Sequence, residues 1–257
     1  MTKAHTDTTW PADVLTLSID IGGSGIKASI VNARAEMVSD RVRVDTPYPC
    51  PPDLLVSTIH DLVQGMLTVN RVSVGFPGLV RHGHVFDVPS LSRLEYGGDR
   101  DPEMESAWFG FDLAHALAQV FHLPTKVVND ADMQGCAVVS GSGMEFVITL
   151  GTGVGTALFS DGTLLPHLEL SHGPFKGGLS YDAALGNFRR REIGNEAWAK
   201  QVRKAITAFD RVIFFDRLYV GGGNAKHLSS TDIGAKGEIV PNTSGILGGV
   251  RVWELDA

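Results

Sequence analysis

Acidic side chains that follow short apolar segments are the residues of this sequence best suited to chemistry. Asp20 ends the apolar segment VLTLSID, Asp130 lies in NDAD at residues 129–132, and Glu169 lies in ELSH at residues 169–172. A carboxylate can take a proton from a hydroxyl group, accept hydrogen bonds from one, or hold Mg²⁺ through water. Phosphoryl transfer to a hydroxyl group needs such a base near the nucleophile, together with charge neutralisation around the phosphates.

Three glycine-rich loops, DIGGSGIK, LGTGVGT and VGGGNAK, follow predicted strands. Glycine is favoured where φ is positive or where a ligand must approach the backbone, and consecutive N–H groups form a concavity that binds anions. One such loop could equally be a tight hairpin, and Lys27 could be a solvated strand residue. Three loops, two of them in corresponding halves, favour phosphate binding. The candidate residues are Gly22, Gly23, Ser24, Gly25, Lys27, Gly151, Thr152, Gly153, Gly221, Gly222 and Gly223.

Neither of the two common nucleotide-binding motifs is present. The pattern G-x-x-x-x-G-K-[ST] does not occur at the first loop, because the lysine of GIKA has no serine or threonine after it and the spacing differs. The segment GGSGIK also differs from G-x-G-x-x-G, and a second strand rather than a helix is predicted after it. These differences argue against a dinucleotide-binding fold.

The elements that would position these residues repeat along the chain. Residues 17–45 and 146–170 both read as strand, glycine-rich hairpin, strand, turn and strand. The pattern predicts a duplicated α/β unit with a cleft between two domains, residues 1–125 and 126–257, and a C-terminal helix that returns to the first domain. Apolar spacing predicts helices within residues 52–69, 111–123 and 195–209, and a strand leading into a helix start within residues 217–228.

Composition limits the other classes of function. The 257 residues carry a net charge of −7, which argues against a nucleic-acid partner. Cys50 and Cys136 are two distant cysteines, so neither a disulfide framework nor a thiolate zinc site is predicted. No apolar run approaches the roughly 20 residues of a membrane span, and the polar first sixteen residues do not resemble a signal peptide. A cytoplasmic protein without a membrane partner is therefore expected.

Six motifs in order, SIDIGGSGIKASIV, VGFPGLV, VVNDADMQG, TLGTGVGTALFSDG, ELSH and LYVGGGNAK, resemble the ROK group of sugar kinases. The resemblance runs from about residue 17 to residue 252, and DIGGSGIK and NDAD are most similar to the polyphosphate glucokinases of that group. It implies the actin-like ATPase (ribonuclease H-like) fold, two similar α/β domains around a central cleft. It also implies a homodimer that uses Mg²⁺ and transfers a phosphoryl group from ATP or polyphosphate to the 6-hydroxyl of a hexose, glucose.

The resemblance implies roles for individual residues. Asp130 is the catalytic base. The position of Asp20, at a strand end that faces the first glycine loop, separately predicts that it holds Mg²⁺ through water. Asp132 is interpreted as a helix cap. His172 is expected at the sugar, and the alternative is that it has only a structural role. The residues expected at the sugar are Asn129, Glu169, His172 and Gly78.

Departures from the family pattern leave other interpretations open. The cysteine-rich zinc motif of many members is missing, so no zinc is expected, and Ser171 replaces a glycine of the usual ExGH. An asparagine often found before the tryptophan of the sugar site is missing from residues 87–108. A non-catalytic sugar sensor is the alternative function, although sixteen residues before the first predicted strand are too few for a helix-turn-helix. A structural actin-like ATPase is disfavoured by NDAD and ELSH.

Two short basic clusters bear on the phosphoryl donor, Arg189–Arg190–Arg191 and KQVRK at residues 200–204. The arginine cluster is interpreted as a solvated helix start or, alternatively, as a polyanion contact. A long polyanion needs a basic track, and two short clusters on an acidic chain make a thin one. ATP is therefore slightly favoured over polyphosphate.

Overall fold

The computed structural model describes residues 13–241 and 244–254. The strands are β1 Leu15–Gly22, β2 Gly25–Asn32, β3 Val42–Val44, β4 Arg71–Phe76, β5 Leu79–Arg81, β6 His84–Asp87, β7 Thr125–Asn129, β8 Met144–Leu150, β9 Val154–Ser160, β10 Thr163–Leu164, β11 Pro174–Lys176, β12 Leu179–Ser180, β13 Arg217–Gly221 and β14 Gly237–Ile239. The α-helices are α1 Pro52–Val63, α2 Pro102–Trp108, α3 Leu113–Phe121, α4 Asp130–Cys136, α5 Tyr181–Leu185, α6 Asn187–Ile193, α7 Asn195–Ile213, α8 Ser230–Ile233 and α9 Ser244–Leu247. Short 3₁₀ turns occupy Gln64–Met66, Leu170–His172, Ala225–His227 and Arg251–Trp253.

Two five-stranded sheets share one topology. The first has the order β3-β2-β1-β4-β7 and the second the order β10-β9-β8-β13-β14. In each sheet three consecutive strands form an antiparallel meander. A fourth strand pairs in parallel with the first strand of that meander, and a fifth pairs in parallel with the fourth. The repetition predicted between residues 17–45 and 146–170 is therefore confirmed.

Helix α4 lies between the two sheets and contacts strands of both, including β4 and β9. The outer faces are covered by other helices: Leu55 and Ile59 of α1 belong to the core of the first sheet, and Trp198 and Val202 of α7 to that of the second. All six residues of β4 are buried, as expected for a parallel strand that is covered on both faces. The residue at the start of α4 is thus held where the two halves meet.

The C-terminal segment returns to the first sheet. Ser18 Oγ donates a hydrogen bond to the carbonyl oxygen of Ile246, and Ser73 Oγ donates one to that of Gly249, both at 2.6 Å. Because buried hydroxyl groups need partners, these contacts stabilise the returning segment on β1 and β4.

The domain boundary predicted after residue 125 falls at the start of β7, within the first sheet. Strand β7, Thr125–Asn129, pairs in parallel with β4. The chain leaves the first sheet after Asn129 and enters α4 at once.

One helical prediction differs from the structure, and one helix was not foreseen. The segment after β13 forms only the 3₁₀ turn Ala225–His227 rather than the start of an α-helix. Helix α2 was not predicted, although Asp101 followed by Pro102 is a helix-start signal and Asp101 does cap the helix. Among the described residues, no helix is both long and apolar enough to cross a membrane.

Candidate active site

Asn129 fixes the point at which β7 passes into α4. Its Oδ1 accepts hydrogen bonds from the N–H groups of Ala131 and Asp132 at 2.8 and 3.4 Å, the N-cap role for which asparagine is favoured. Its Nδ2 donates to the carbonyl oxygen of Gly78 at 3.0 Å, and the Gly78 N–H donates to Phe76. Asn129 is buried and Gly78 makes internal hydrogen bonds, so both hold the turn beside the cleft. Their contact with a sugar stays a prediction.

Asp130 lies between the two sheets at the first turn of α4. A side-chain carbon added to Gly75 of β4 would lie 3.3 Å from its Cα, and one added to Gly155 of β9 would lie 3.8 Å from its Oδ1. Burial, reinforced by the negative charge of Asp20, raises the pKa of Asp130 to about 7, against the opposing hydrogen bond from the Ala131 N–H. A carboxylate with a pKa near neutrality is suited to act as a general base.

Asp20 lies on β1 directly opposite Lys27 of β2 in the register of the first hairpin. Lys27 Nζ is 3.0 Å from Asp20 Oδ2, so Lys27 is the ion-pair partner of this carboxylate and not a freely solvated side chain. Among the described residues, there is no group of three or more His, Cys, Asp and Glu side chains that could hold a metal ion. Mg²⁺ is commonly held by one or two carboxylates together with water and substrate phosphates. Asp20 and Asp130, which influence each other electrostatically, fit that pattern.

The first glycine loop is held from outside by the segment that contains β3. The carbonyl oxygens of Gly22, Gly23 and Ser24 each accept a hydrogen bond from a side chain. The donors are Thr46 Oγ1 at 2.6 Å, Tyr48 OH at 2.7 Å and Arg43 Nη2 at 3.1 Å, respectively. Since carbonyl oxygens repel phosphate, engaging these three makes the loop more favourable for an anion.

Close packing explains two of the glycines in this loop. None of Gly22, Gly23 and Gly25 has φ in the left-handed region. A side-chain carbon on Gly25 would lie 2.7 Å from Arg43 Nη2, and one on Gly23 would lie 3.1 Å from the Cβ of Ser90. The positive φ considered for such loops is therefore not the reason for glycine here.

The second and third glycine loops lie side by side at the end of β8. Asn224 joins them, because its Nδ2 donates to the Gly151 carbonyl and its N–H to the Leu150 carbonyl, both at 2.9 Å. Gly222 has φ +84° and lies against the Leu150 backbone, so glycine is required. Gly223 has open space where a side chain would be. Asn224 was not predicted as a site residue, although its place directly after three glycines is a usable signal.

Asp182, on α5, is a further carboxylate at the second loop that was not predicted. Its Oδ1 accepts a hydrogen bond from the Val154 N–H at 2.7 Å and leaves no room for a side chain on Gly153. Burial raises the pKa of Asp182, opposed by that hydrogen bond and by the charge of His172. Thr152 belongs to the same loop, and its carbonyl oxygen accepts a hydrogen bond from the Asn187 N–H.

Glu169 lies between two histidines. His167 Nε2 is 3.3 Å from Glu169 Oε1, and His172 Nε2 is 3.9 Å from Glu169 Oε2. Burial alone would raise the pKa of Glu169, but the contact with His167 outweighs it and lowers the pKa. The side chain of His172 is 44% exposed, so it remains accessible to a ligand. Glu169 is therefore ionised, and His167 is its cationic neighbour.

Asp132 has a partner that the sequence did not predict. His167 Nδ1 is 3.0 Å from Asp132 Oδ1, and both side chains are buried. Burial would lower the pKa of His167, but Asp132 and Glu169 raise it to about 10. The interpretation of Asp132 as a helix cap is wrong, because Asn129 supplies the cap and Asp132 binds His167. In the sequence, the only local indication of this pairing is that His167 lies two residues before Glu169.

Comparisons with known proteins agree with this geometry. A family model described as ROK family matches residues 16–173. The polyphosphate glucokinase of Mycobacterium tuberculosis is 28% identical over 245 residues, which cover 90% of this chain and 88% of that protein. The crystal structure of an inorganic polyphosphate/ATP-glucomannokinase from Arthrobacter sp. strain KM has a TM-score of 0.78 at 26% identity and covers 94% of this chain and 98% of that one.

A second solved structure supports the fold. The ROK family glucokinase from Streptomyces griseus, solved with glucose and AMPPNP, has a TM-score of 0.70 at 18% identity and covers 93% of this chain and 98% of that one. Together the matches confirm the predicted actin-like ATPase fold.

Proposed function

Since this chain belongs to the ROK family, we propose that it transfers a phosphoryl group from ATP or polyphosphate to the 6-hydroxyl of a hexose, and that the hexose is glucose. The observation that carries the proposal is the placement of Asp130. It begins the helix between the two sheets, has a pKa of about 7, and lies within electrostatic reach of Asp20 and Glu169. A candidate base, a candidate metal ligand and a candidate sugar ligand are therefore within electrostatic reach of one another.

Each group has one task in the proposed reaction. The Asp130 carboxylate accepts the proton of the attacking hydroxyl, and Glu169 accepts hydrogen bonds from two other hydroxyl groups to orient the sugar. The first glycine loop binds the transferred phosphate, and the second and third loops bind the rest of the donor. Mg²⁺ held near Asp20 supplies charge neutralisation for the phosphates when it is bound. In the first loop the carbonyl oxygens of Gly22 and Ser24 accept hydrogen bonds from side chains of the protein, so they do not face the phosphate unpaired.

A coupled assay tests the proposal. The protein is incubated with glucose, mannose, N-acetylmannosamine and other hexoses, each with ATP and with polyphosphate. Turnover of glucose with at least one donor supports the proposal. Tight hexose binding without turnover would instead support the alternative of a non-catalytic sugar sensor. The predicted homodimer and cytoplasmic location stay predictions.

Glu169→Gln is expected to weaken hexose binding and to spare the donor. The substitution removes the charge of an acceptor, and a hydrogen bond to a charged group contributes about 1.5–3 kcal/mol, or about 10- to 150-fold in KM. Steady-state kinetics measure KM for hexose and donor separately. Glu36→Gln is the matched control, because Glu36 is an exposed glutamate whose partners are Asn32 and Arg34. A rise in donor KM with unchanged hexose KM would mean that Glu169 belongs to the donor site.

The basic residues bear on the choice of donor. Arg189 pairs with Glu192 at 2.7 Å, and Arg190 donates hydrogen bonds to Asn187 and Asn195 at 2.9 and 2.7 Å. These local contacts engage Arg189 and Arg190 within their own helix and the start of the next, which supports a structural role for them.

Helix α7 offers a better path for a polyanion. It begins beside the third glycine loop, where Asn195 Nδ2 is 3.4 Å from His227 Nδ1. Lys200, Arg203, Lys204 and Arg211 lie along its outer face. In the described part of the chain, neither Lys204 nor Arg211 makes an ion pair.

Lys204→Gln combined with Arg211→Gln is expected to raise KM for polyphosphate several-fold and to leave KM for ATP unchanged. The salt dependence of the polyphosphate KM should also become less steep, because each cation that contacts a polyanion adds about one to the slope. Kinetics over a range of salt concentrations measure both effects. Arg34→Gln combined with Arg41→Gln is the control, a pair of exposed cations on the other half of the chain. Equal effects of the two pairs would refute a specific track along α7.

A further inference from the structure

His167 joins two carboxylates inside the cleft wall, and the proposed reaction does not use it. Its side chain is 3% exposed, with Asp132 at 3.0 Å from Nδ1 and Glu169 at 3.3 Å from Nε2. The Arg81 guanidinium donates a hydrogen bond to the His167 backbone carbonyl. The ring is thus hydrogen-bonded to Asp132 through Nδ1, while Nε2 faces Glu169 at ion-pair distance without a hydrogen bond of standard geometry, and the backbone is held as well.

The charges explain why the arrangement is stable. A buried carboxylate without a partner is costly, and the same is true of a buried cation. Asp132 is 4% exposed and has no reach to solvent, so the imidazolium is its compensating charge. The doubly protonated ring donates from both nitrogens. Glu169, whose side chain is 23% exposed, is the ion-pair partner of the second nitrogen at 3.3 Å.

The two carboxylate oxygens of Glu169 face different histidines. Oε1 faces His167, while Oε2 lies 3.9 Å from the exposed His172. The groups whose charge lowers the pKa of Glu169 are His167, His172 and Arg81, and the carboxylates of Asp130, Asp132 and Asp182 also lie within electrostatic reach of it. Of the two histidines only His167 is buried, so it is the one that can restrict the carboxylate to one orientation.

We propose that His167, anchored by Asp132, is a positioning residue that holds the Glu169 carboxylate in the orientation that accepts hydrogen bonds from two hydroxyl groups of the sugar. This inference rests on the proposed function. It adds a specificity-determining chain, Asp132 to His167 to Glu169, which links the start of α4 to the sugar site. His167 itself does not contact the sugar.

Two substitutions separate the two contacts of the ring. The amide nitrogen of asparagine reaches about as far as Nδ1, and that of glutamine about as far as Nε2. His167→Asn therefore keeps the hydrogen bond to Asp132 and loses the contact with Glu169, whereas His167→Gln does the reverse. Each variant serves as the matched control of the other.

The variant with the larger rise in hexose KM should be the one with the higher thermal stability. His167→Asn should raise hexose KM at least about tenfold, the lower end for a hydrogen bond to a charged group. His167→Gln should raise hexose KM only about threefold, because it loses the anchor but keeps the contact with Glu169, and it should have the lower Tm, because it leaves Asp132 buried without a partner. Donor KM should not change in either variant. Calorimetric titration with glucose, without donor, gives the same order as the hexose KM.

Two results would contradict the proposed role of His167. If hexose affinity follows Tm, with His167→Gln the weaker binder, or if neither variant changes hexose affinity, His167 is only a structural partner of Asp132. Should His167→Gln not fold, Asp132→Asn replaces it. That variant weakens the anchor and should raise hexose KM at least about threefold, and an unchanged hexose KM would overturn the proposal.

Failure of the proposed function can be told apart from failure of this inference, because the wild-type protein would then phosphorylate no hexose. If the wild type binds glucose but does not phosphorylate it, calorimetric titration still ranks the glucose affinities of the two variants. A wild-type protein that binds no hexose overturns both proposals.

Discussion

Asp130→Asn is expected to fold like the wild type and to lose turnover by more than the roughly 10²–10⁴-fold typical of removing a general base. The amide keeps an oxygen that can accept the hydrogen bond of the Ala131 N–H, now 2.9 Å away, so the start of α4 is preserved. It cannot accept a proton from the hydroxyl. Removing the charge also relieves the repulsion from Asp20, so the free energy of unfolding should not fall.

Steady-state kcat measures this loss, and thermal unfolding checks the fold. Asp61→Asn is the control, because Asp61 is an exposed aspartate on α1. The variant should still bind hexose and donor in calorimetric titrations. Turnover within tenfold of the wild type would remove Asp130 from the mechanism.

The pH profile of the wild type gives an independent check on the same residue. Burial raises the pKa of Asp130 to about 7, and only the ionised form can take a proton. Values of kcat/KM should therefore fall as the pH decreases below about 7 and level off above it. The Asp130→Asn variant should lack this acidic limb, and a flat wild-type profile through that range would contradict the assignment.

Asp20→Asn is expected to lower kcat about 10²–10³-fold, the range for removing one electrostatic stabiliser of a transition state, and to raise the Mg²⁺ concentration needed for half-maximal activity. The carboxylate is the candidate metal ligand, and its ion pair with Lys27 holds it at the cleft. In the wild type, EDTA should stop catalysis and Mg²⁺ alone should restore it. Kinetics over a range of Mg²⁺ concentrations measure both effects.

The control for the metal is again Asp61→Asn, which should keep the wild-type response to Mg²⁺. An unchanged Mg²⁺ requirement in Asp20→Asn would place the metal ligand elsewhere. Stoichiometric zinc in the purified protein, found by elemental analysis, would contradict the prediction that zinc is not needed.

The duplicated framework could be predicted because its signals are local. A glycine-rich loop between two short apolar segments repeats within residues 17–45 and 146–170, and alternating apolar residues define the strands on either side. The structure places both loops in sheets of the same topology. The approximate positions of α1, α3 and α7 followed from apolar spacing in the same way.

The side-chain pairs of the site could not be predicted, because they join distant segments. His167 and Asp132 are separated by 35 positions, and the pairing depends on how α4 packs against β9. Gly25 is conformationally unremarkable and lacks a side chain because Arg43 packs against it. Such contacts follow from the arrangement of the sheets and leave no periodic signal. Asp182 was missed for the same reason.

The most direct test of the proposed transfer is the identity of the product formed from glucose. The protein, glucose, Mg²⁺ and either ATP or polyphosphate are combined, and the proton-coupled ³¹P spectrum is recorded. The account predicts a new phosphomonoester split into a triplet by the two protons on C6, and no such signal with 6-deoxyglucose or with Asp130→Asn. A doublet from a phosphate on a ring carbon, or donor hydrolysis without any sugar phosphate, would contradict the proposal that this cleft phosphorylates the 6-hydroxyl of a hexose.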